Sequence, residues 1–237
     1  MARTLRALEL LAFSPLSAPR LAAAMRADPR TVRRLLGRLE EEEYVTCSRD
    51  ARRVYEPTMR IVALAGQIVQ NSRVARSARP YVTLLHERTR EAAHLAVTSY
   101  QSVLCVAHKA SEHDDARPRL RELVPAHCTA GGKVLLAWRE RWRESVLSAP
   151  LERWTDRTVV DPRALRHELE VVRTEGFASE DGELQDHVRA VAAPVVVGED
   201  VLAALTASGR GLDIDAVTRH VVAVAHQLSE SLGHAAA

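Results

Sequence analysis

Two groups of side chains in this sequence could do chemistry, and they differ in kind. The first is a set of long cationic donors, Arg30, Arg33, Arg34 and Arg38, with Thr31 among them. They share a segment in which Val32, Leu35, Leu36 and Leu39 recur at helical spacing. That division leaves one side of a helix to sit on a scaffold and another to present hydrogen-bond donors. The planar fork of arginine can meet O6 and N7 of a guanine together, and a threonine can touch a thymine methyl or a phosphate. No acid interrupts the stretch from Arg30 to Arg38. The second group is Thr129-Ala130-Gly131-Gly132-Lys133, which leads into an apolar helix expected from about Lys133 to Trp138. Backbone N–H groups at such a helix start can hold a carboxylate. A tight turn that needs glycine would use the same residues, so both readings stand at this point.

Several other chemistries lack their required pattern. Gly131-Gly132-Lys133 has neither the spacing nor the preceding apolar strand of a nucleotide phosphate loop. His127 and Cys128 are adjacent in an extended stretch, so their side chains point apart, and no third residue orients the pair as a nucleophile requires. His108, His113, Asp114 and Asp115 crowd a polar loop without recognised metal-ligand spacing. No catalytic residue, metal site or cofactor is therefore expected.

The elements around the arginines fix where they stand. Leu5, Leu8, Leu11 and Ala12 predict a first helix from about Arg3 to Phe13, stopped by Ser14-Pro15. A short second helix follows Ser17. Asp28-Pro29 opens the third: the carboxylate can cap free N–H groups, and proline fits the first helical position. Tyr44-Val45-Thr46-Cys47 and Val54-Tyr55-Glu56 read as two short strands around an arginine-bearing turn with Arg49, Arg52 and Arg53. Three helices and a basic hairpin are the order of a winged helix-turn-helix. The N-terminal part of its second helix reaches base edges in such folds, while the wing suits phosphates or the minor groove. The expected contacts to double-stranded DNA are Arg20, Arg30, Thr31, Arg33, Arg34, Arg38, Arg49, Arg52 and Arg53.

Beyond the wing, Met59, Val62, Ala65, Ile68 and Val69 form an apolar stripe on a further helix, which requires burial, as in a homodimer. After Arg79-Pro80 the pattern is mixed. A helix from Tyr81 to Thr89 precedes strands at His94 to Tyr100 and Val103 to His108. A helix opened by Asp161-Pro162 and closed near Gly176 precedes strands at about Ala190 to Val197 and Val201 to Ser208. A last helix runs from Asp213 to about Leu232. The expected division is 1–57 for the DNA-binding domain, 58–78 for a linker helix and 79–237 for a second domain.

Charge agrees with that division. The 237 residues carry a formal net charge of +2, yet from Met1 to Arg60 there are twelve arginines, no lysine and eight acids. The basic excess is thus local to the N-terminal part, as a nucleic-acid footprint should be. Three scattered cysteines suggest reduced thiols in a cytoplasmic protein, and no apolar run is long enough for a membrane span.

With these motifs in view, the sequence resembles the IclR family of bacterial transcription regulators over nearly its whole length. The resemblance rests on Thr31-Val32-Arg33-Arg34-Leu35-Leu36 with Tyr44-Val45, and on Glu91-Ala92-Ala93-His94-Leu95-Ala96-Val97. It rests further on His127-Cys128-Thr129-Ala130-Gly131-Gly132-Lys133-Val134-Leu135-Leu136-Ala137 and on Val191-Ala192-Ala193-Pro194-Val195. It implies an α+β protein whose winged helix-turn-helix is joined by a linker helix to a C-terminal GAF-like effector-binding domain with an antiparallel sheet. It also implies a pocket lined by Thr129, Ala130, Gly131, Gly132, Glu180, Ala190, Thr206 and Ser208. A small-molecule effector, a homodimer or dimer of dimers on a palindromic operator, and repression or activation of metabolic genes complete the expectation. The chain departs from the family pattern at Ala190, where cysteine is frequent, at Glu180 for aspartate, at Gly131 for leucine and at His187 for glycine. The competing class is a ligand-binding protein or enzyme whose winged helix makes protein contacts.

Overall fold

A computed structural model describes residues 2–48, 50, 52–111 and 122–234. Arg49 and the loop residues His113, Asp114 and Asp115 lie outside the described residues, as does the side chain of Val69. The chain divides into two compact units, Met1–Asn71 and Ser72–Ala237.

The first unit contains α1 (Ala2–Phe13), β1 (Leu16–Ser17), α2 (Ala18–Ala24), α3 (Pro29–Glu41), β2 (Val45–Cys47), β3 (Val54–Pro57) and α4 (Met59–Asn71). Its core gathers Ala7 and Leu11 of α1, Leu21 and Ala22 of α2, Val32, Leu36 and Leu39 of α3, and Val45 of β2. Burial of one stripe per helix orients all three helices; on α1 that stripe is Ala7 and Leu11 with the half-buried Leu8, not the expected Leu5, Leu8, Leu11 and Ala12, since Leu5 and Ala12 are exposed. The strands lie in the order β1-β3-β2, with Leu16 opposite Tyr55 and Cys47 opposite Tyr55 on the other side. The two-residue β1 was not visible in the sequence pattern.

The second unit begins with α5 (Arg73–Thr89) and continues through β4 (Ala92–Ser99), β5 (Ser102–Lys109), β6 (Leu123–Pro125), α6 (Ala130–Trp138), α7 (Glu140–Leu147) and α8 (Pro162–Glu175). It closes with β7 (Ala178–Asp181), β8 (Val188–Val197), β9 (Asp200–Arg210) and α9 (Ile214–His234). Six antiparallel strands run in the order β6-β5-β4-β9-β8-β7. Alternation along each strand sends successive side chains to opposite faces. Ala93, Leu95, Val191, Ala193, Leu205 and Ala207 face α5 and α9, and Ala96, Ala190, Ala192 and Ala204 face α6 and α8.

Two expectations are corrected here. The single linker helix over 58–78 is two helices: α4 ends at Asn71, and Ser72 caps α5 by accepting the Ala75 N–H at 3.3 Å. Nor does α5 start after Pro80, which lies inside it. Proline in a helix interior removes one hydrogen bond and costs about 3 kcal/mol. Burial of Ala75, Ala78, Val82 and Leu85 along one side of α5 keeps the helix continuous in spite of that cost.

Candidate DNA-reading surface and effector site

On the first unit, α3 stands with its apolar side buried and Arg30, Arg33, Arg34 and Arg38 exposed. Its start is fixed by Asp28, whose Oδ2 accepts the Thr31 N–H at 2.8 Å and the Thr31 hydroxyl at 3.2 Å. The hydroxyl proton of Thr31 is thereby committed, so this residue can offer a partner only its methyl group and lone pairs. Arg20 is exposed on α2. In the turn between β2 and β3, the expected wing, Ser48 donates to Asp50 Oδ1 at 2.7 Å, and the same oxygen accepts the N–H groups of Arg52 and Arg53 at 3.1 and 3.2 Å. The Ser48 hydroxyl, aided by those N–H groups, holds the Asp50 carboxyl below its ordinary range. The turn is thus closed from within, and the exposed guanidinium groups of Arg52 and Arg53 are displayed from it. Arg26 was missed by the sequence reading. It occupies the bend between α2 and α3 with φ of +48° and is exposed beside the start of α3.

On the second unit, two rows of residues cross the inner face of the sheet. In one, Glu180 of β7 lies opposite Ala190 of β8, which lies opposite Ser208 of β9, which lies opposite Ala92 of β4. In the other, Ala178, Ala192, Thr206, His94 and His108 follow in the same way across β7, β8, β9, β4 and β5. Strands about 4.8 Å apart therefore set Glu180, Ser208, Thr206 and His94 on a floor of alanines. All four are buried, and the Thr206 hydroxyl, on a residue only 1% exposed, has no hydrogen-bond partner among the described residues.

The start of α6 closes over this floor. A methyl group on Gly131 would stand 3.0 Å from Thr206 Oγ1 and 3.6 Å from the Ala204 Cβ, and one on Gly132 would fall 2.1 Å from the Ala126 carbonyl oxygen. Close approach of backbone to backbone requires glycine at position 132, whereas at position 131 a methyl group would press only on the Thr206 side chain. Thr129 is occupied with the same job: its hydroxyl donates to the Pro125 carbonyl at 3.0 Å and accepts the Gly132 N–H at 3.2 Å. It shapes the helix start and has no spare proton for a ligand.

Electrostatics leave this inner face nearly free of net charge at neutral pH. Burial, reinforced by the charge of Glu183, pushes the Glu180 carboxyl up to about 8, although the backbone N–H of Glu183 donates to its Oε2 at 2.9 Å. Burial and then the neighbouring His108 pull His94 down to about 3. Glu180 is thus a neutral acid with a proton to donate, and His94 a neutral imidazole. Lys133 is fully buried and paired with both Glu168 and Glu183. Burial works against its charge, but the two carboxylates outweigh burial and keep the ammonium above its ordinary value. Cys128 is pushed up to about 12 by burial and the nearby Glu180, and His127 Nε2 lies 2.9 Å from the Glu152 carbonyl. That thiol is therefore held protonated at neutral pH. Among the described residues no group of three His, Cys, Asp or Glu side chains could hold a metal ion.

The model of the bacterial transcriptional regulator IclR C-terminal family matches residues 66–232, which is most of the chain. The chain belongs to the IclR family. Among curated relatives, the HTH-type transcriptional regulator KdgR of Dickeya chrysanthemi is 31% identical over 169 residues, covering 70% of this chain and 55% of that protein. The chain therefore spans just over half the length of that relative. A Silicibacter sp. TM1040 structure assigned as an IclR transcriptional regulator superposes with a TM-score of 0.83 at 24% identity, covering 98% of this chain and 95% of that one. An IclR homologue from Microbacterium hydrocarbonoxydans, solved in complex with 4-hydroxybenzoate, gives 0.75 at 25% identity with 98% of each chain covered.

Within this IclR-family chain, the structure brings Gly131, Glu180, Ala190, Thr206 and Ser208 onto or against one buried face, and Ala130 and Gly132 into the helix start beside it. The exposed His187 lies at φ of +64°, in the region that glycine favours. Two contributors were not singled out by sequence. His94 could have been found, because the alternation Ala92, His94, Ala96 puts it on the Thr206 face. The triad Lys133, Glu168 and Glu183 had no local signal, since its members are dispersed over α6, α8 and the segment after β7.

Proposed function

We propose that this IclR-family chain is a sequence-specific DNA-binding transcription regulator of metabolic genes, with α3 and the wing on double-stranded DNA and the inner face of the sheet on a small organic effector. The observation that carries the reading is the division of α3, with four exposed arginines opposite Val32, Leu36 and Leu39 in the core. Base-reading roles go to Arg30, Arg33 and Arg34, with the Thr31 methyl group beside them, and phosphate-positioning roles to Arg20, Arg38, Arg49, Arg52 and Arg53. A mobility shift with duplexes enriched from a randomised pool tests it; a chain that enriches no sequence is not such a regulator.

The effector reading is supported by the unpartnered Thr206 hydroxyl, by Ser208 and by the neutral Glu180 among small alanines, a mostly apolar wall with a few directed polar groups. A protonated Glu180 donates to a carboxylate where an ionised one would repel it, so an acid such as 4-hydroxybenzoate is a suitable first probe. Its binding acts as a switch if the DNA-competent arrangement is favoured or disfavoured by only ~1.4 kcal/mol, which is a tenfold change in operator affinity. Thermal-shift titration of the wild type against Thr206→Val and Ser208→Ala checks the location. Equal stabilisation of all three by one ligand moves the site elsewhere.

The chain acts as a homodimer or dimer of dimers. Leu5 and Phe13 of α1 and Met59, Val62, Leu64 and Ile68 of α4 are exposed apolar side chains, and a two-fold partner covers such a surface while matching a palindromic operator. Sedimentation that finds only a 26.2 kDa species at micromolar concentration defeats this. Its unpaired thiols at Cys47, Cys105 and Cys128 favour a cytoplasmic location. Among the described residues no helix is long and apolar enough to cross a membrane.

A further inference from the structure

Gly37 sits in the middle of α3; it is half-buried in the described chain, and helical periodicity places it on the outward face. Arg33 and Arg34 lie one turn before it on that face and Arg30 two turns before, whereas Glu40 and Glu41 lie one turn after. The core residues Val32 and Leu39, with the half-buried Leu35, lie on the opposite side. A side chain at Gly37 would be free of the rest of the protein: a Cβ built there meets no atom within 4 Å. Glycine in a helix interior lowers helix stability relative to alanine, because it has more backbone freedom to lose on folding. No crowding demands a glycine here, in contrast to Gly132, where the Ala126 backbone leaves no room for a side chain.

We propose that Gly37 is the point at which the backbone of α3 touches DNA, and that its missing side chain lets the helix seat at full depth in the major groove. This rests on the reading that α3 enters the groove. The change of charge on either side of Gly37 supports it. Residues before it carry the cations that a groove attracts, and the run Glu40 to Glu43 after it must stay clear of the phosphates. The helix therefore enters by its N-terminal half and leaves the groove past Gly37. A helix with its side chains is about 10–12 Å across and the groove about 12 Å wide, so one methyl group on the contacting face is enough to lift the helix. Arg30, Arg33 and Arg34 would then reach for base edges from too far away.

The test uses the full chain, a duplex selected by the wild type from a randomised pool, and the variants Gly37→Ala, Gly37→Leu and Arg34→Ala. Gly37→Ala should weaken binding about tenfold and Gly37→Leu more, with the slope of affinity against salt unchanged because no charge is lost. The thermal midpoint of both variants should stay at or above that of the wild type, since alanine and leucine favour the helix. Wild-type affinity for Gly37→Ala, alongside a loss for Arg34→Ala, overturns the proposal and leaves the reading of α3 standing. Wild-type affinity for both overturns the two together. A weaker affinity that comes with a lower thermal midpoint also overturns it, because Gly37 would then be serving the fold.

Discussion

On α3 and the wing, Arg30, Arg33, Arg34, Arg38 and Arg52 stand in solvent, with no ion pair among the described residues. On the inner face of the sheet, Glu180 and His94 are neutral at pH 7 and Lys133 is enclosed by two carboxylates. Both surfaces are polar, but in the roles proposed for them they face opposite demands. A surface for a polyanion gains by keeping its charges hydrated and free until counterions are displaced. A surface for a small molecule has already lost its water, so an unpaired charge would cost several kcal/mol, and polar groups persist there only neutral or paired. The difference teaches that the number of charged residues says little about a site until burial is known.

The largest effect that could break this comparison is the salt dependence of DNA binding. A dimer making roughly 6–10 phosphate contacts should lose ~10³–10⁵-fold in affinity between 50 and 200 mM salt. A fluorescence-anisotropy titration that stays flat over that range would show that the exposed arginines do not meet phosphates. Next comes the buried cation. Lys133→Ala leaves Glu183 and Glu168 facing each other without a counter-charge and should cost ~3–5 kcal/mol in urea unfolding. A loss under ~1 kcal/mol would mean that those carboxylates take up protons or water easily, and that the inner face is wetter than its burial implies.

Smaller effects sharpen the contrast within each surface. Arg33→Ala or Arg34→Ala should cost ~1–3 kcal/mol and relax sequence preference, whereas Arg52→Ala should weaken all sequences alike. The reverse pattern would exchange the roles of helix and wing. On the inner face, the raised value of Glu180 means that the folded state holds a proton which the unfolded state has released. Its contribution to stability is complete below the ordinary carboxylate value of 4.5 and is lost as pH rises through about 8. His94 runs the other way: its contribution is complete above the ordinary 6.5 and is lost as pH falls towards about 3. Wild-type thermal midpoints should therefore decline between pH 6.5 and 8, and Glu180→Gln should remove most of that decline. An unchanged decline in the variant would place the titrating group elsewhere.

How far each surface could be read in advance follows from the same physics. Helix order, the Asp28-Pro29 start, the paired wing strands and the arginine face were legible, because capping, periodicity and solvation act on neighbouring residues in the chain. The break at Ser72 and the continuous α5 through Pro80 were not, because long-range burial of Ala78, Val82 and Leu85 overrides the local signal. Thr129 was legible only as a polar residue ahead of a helix expected from about Lys133; its place as the cap of a helix that starts at Ala130 was not, since the acceptor Pro125 carbonyl comes into place only when the turn has folded.

By itself, the sequence determined the apolar stripe that seats α3, the local basic excess and the alternation that gives the β strands two faces. These depend on residue types at short, fixed spacings. The register that aligns Glu180 with Ala190 and Ser208, and Thr206 with His94, was decided only by the tertiary structure, as were the pairing of Lys133 with carboxylates 35 and 50 positions away and the protonation states of Glu180 and His94. Each of these depends on which distant segments exclude water from one another, and water exclusion is a property of the folded packing that no local spacing contains.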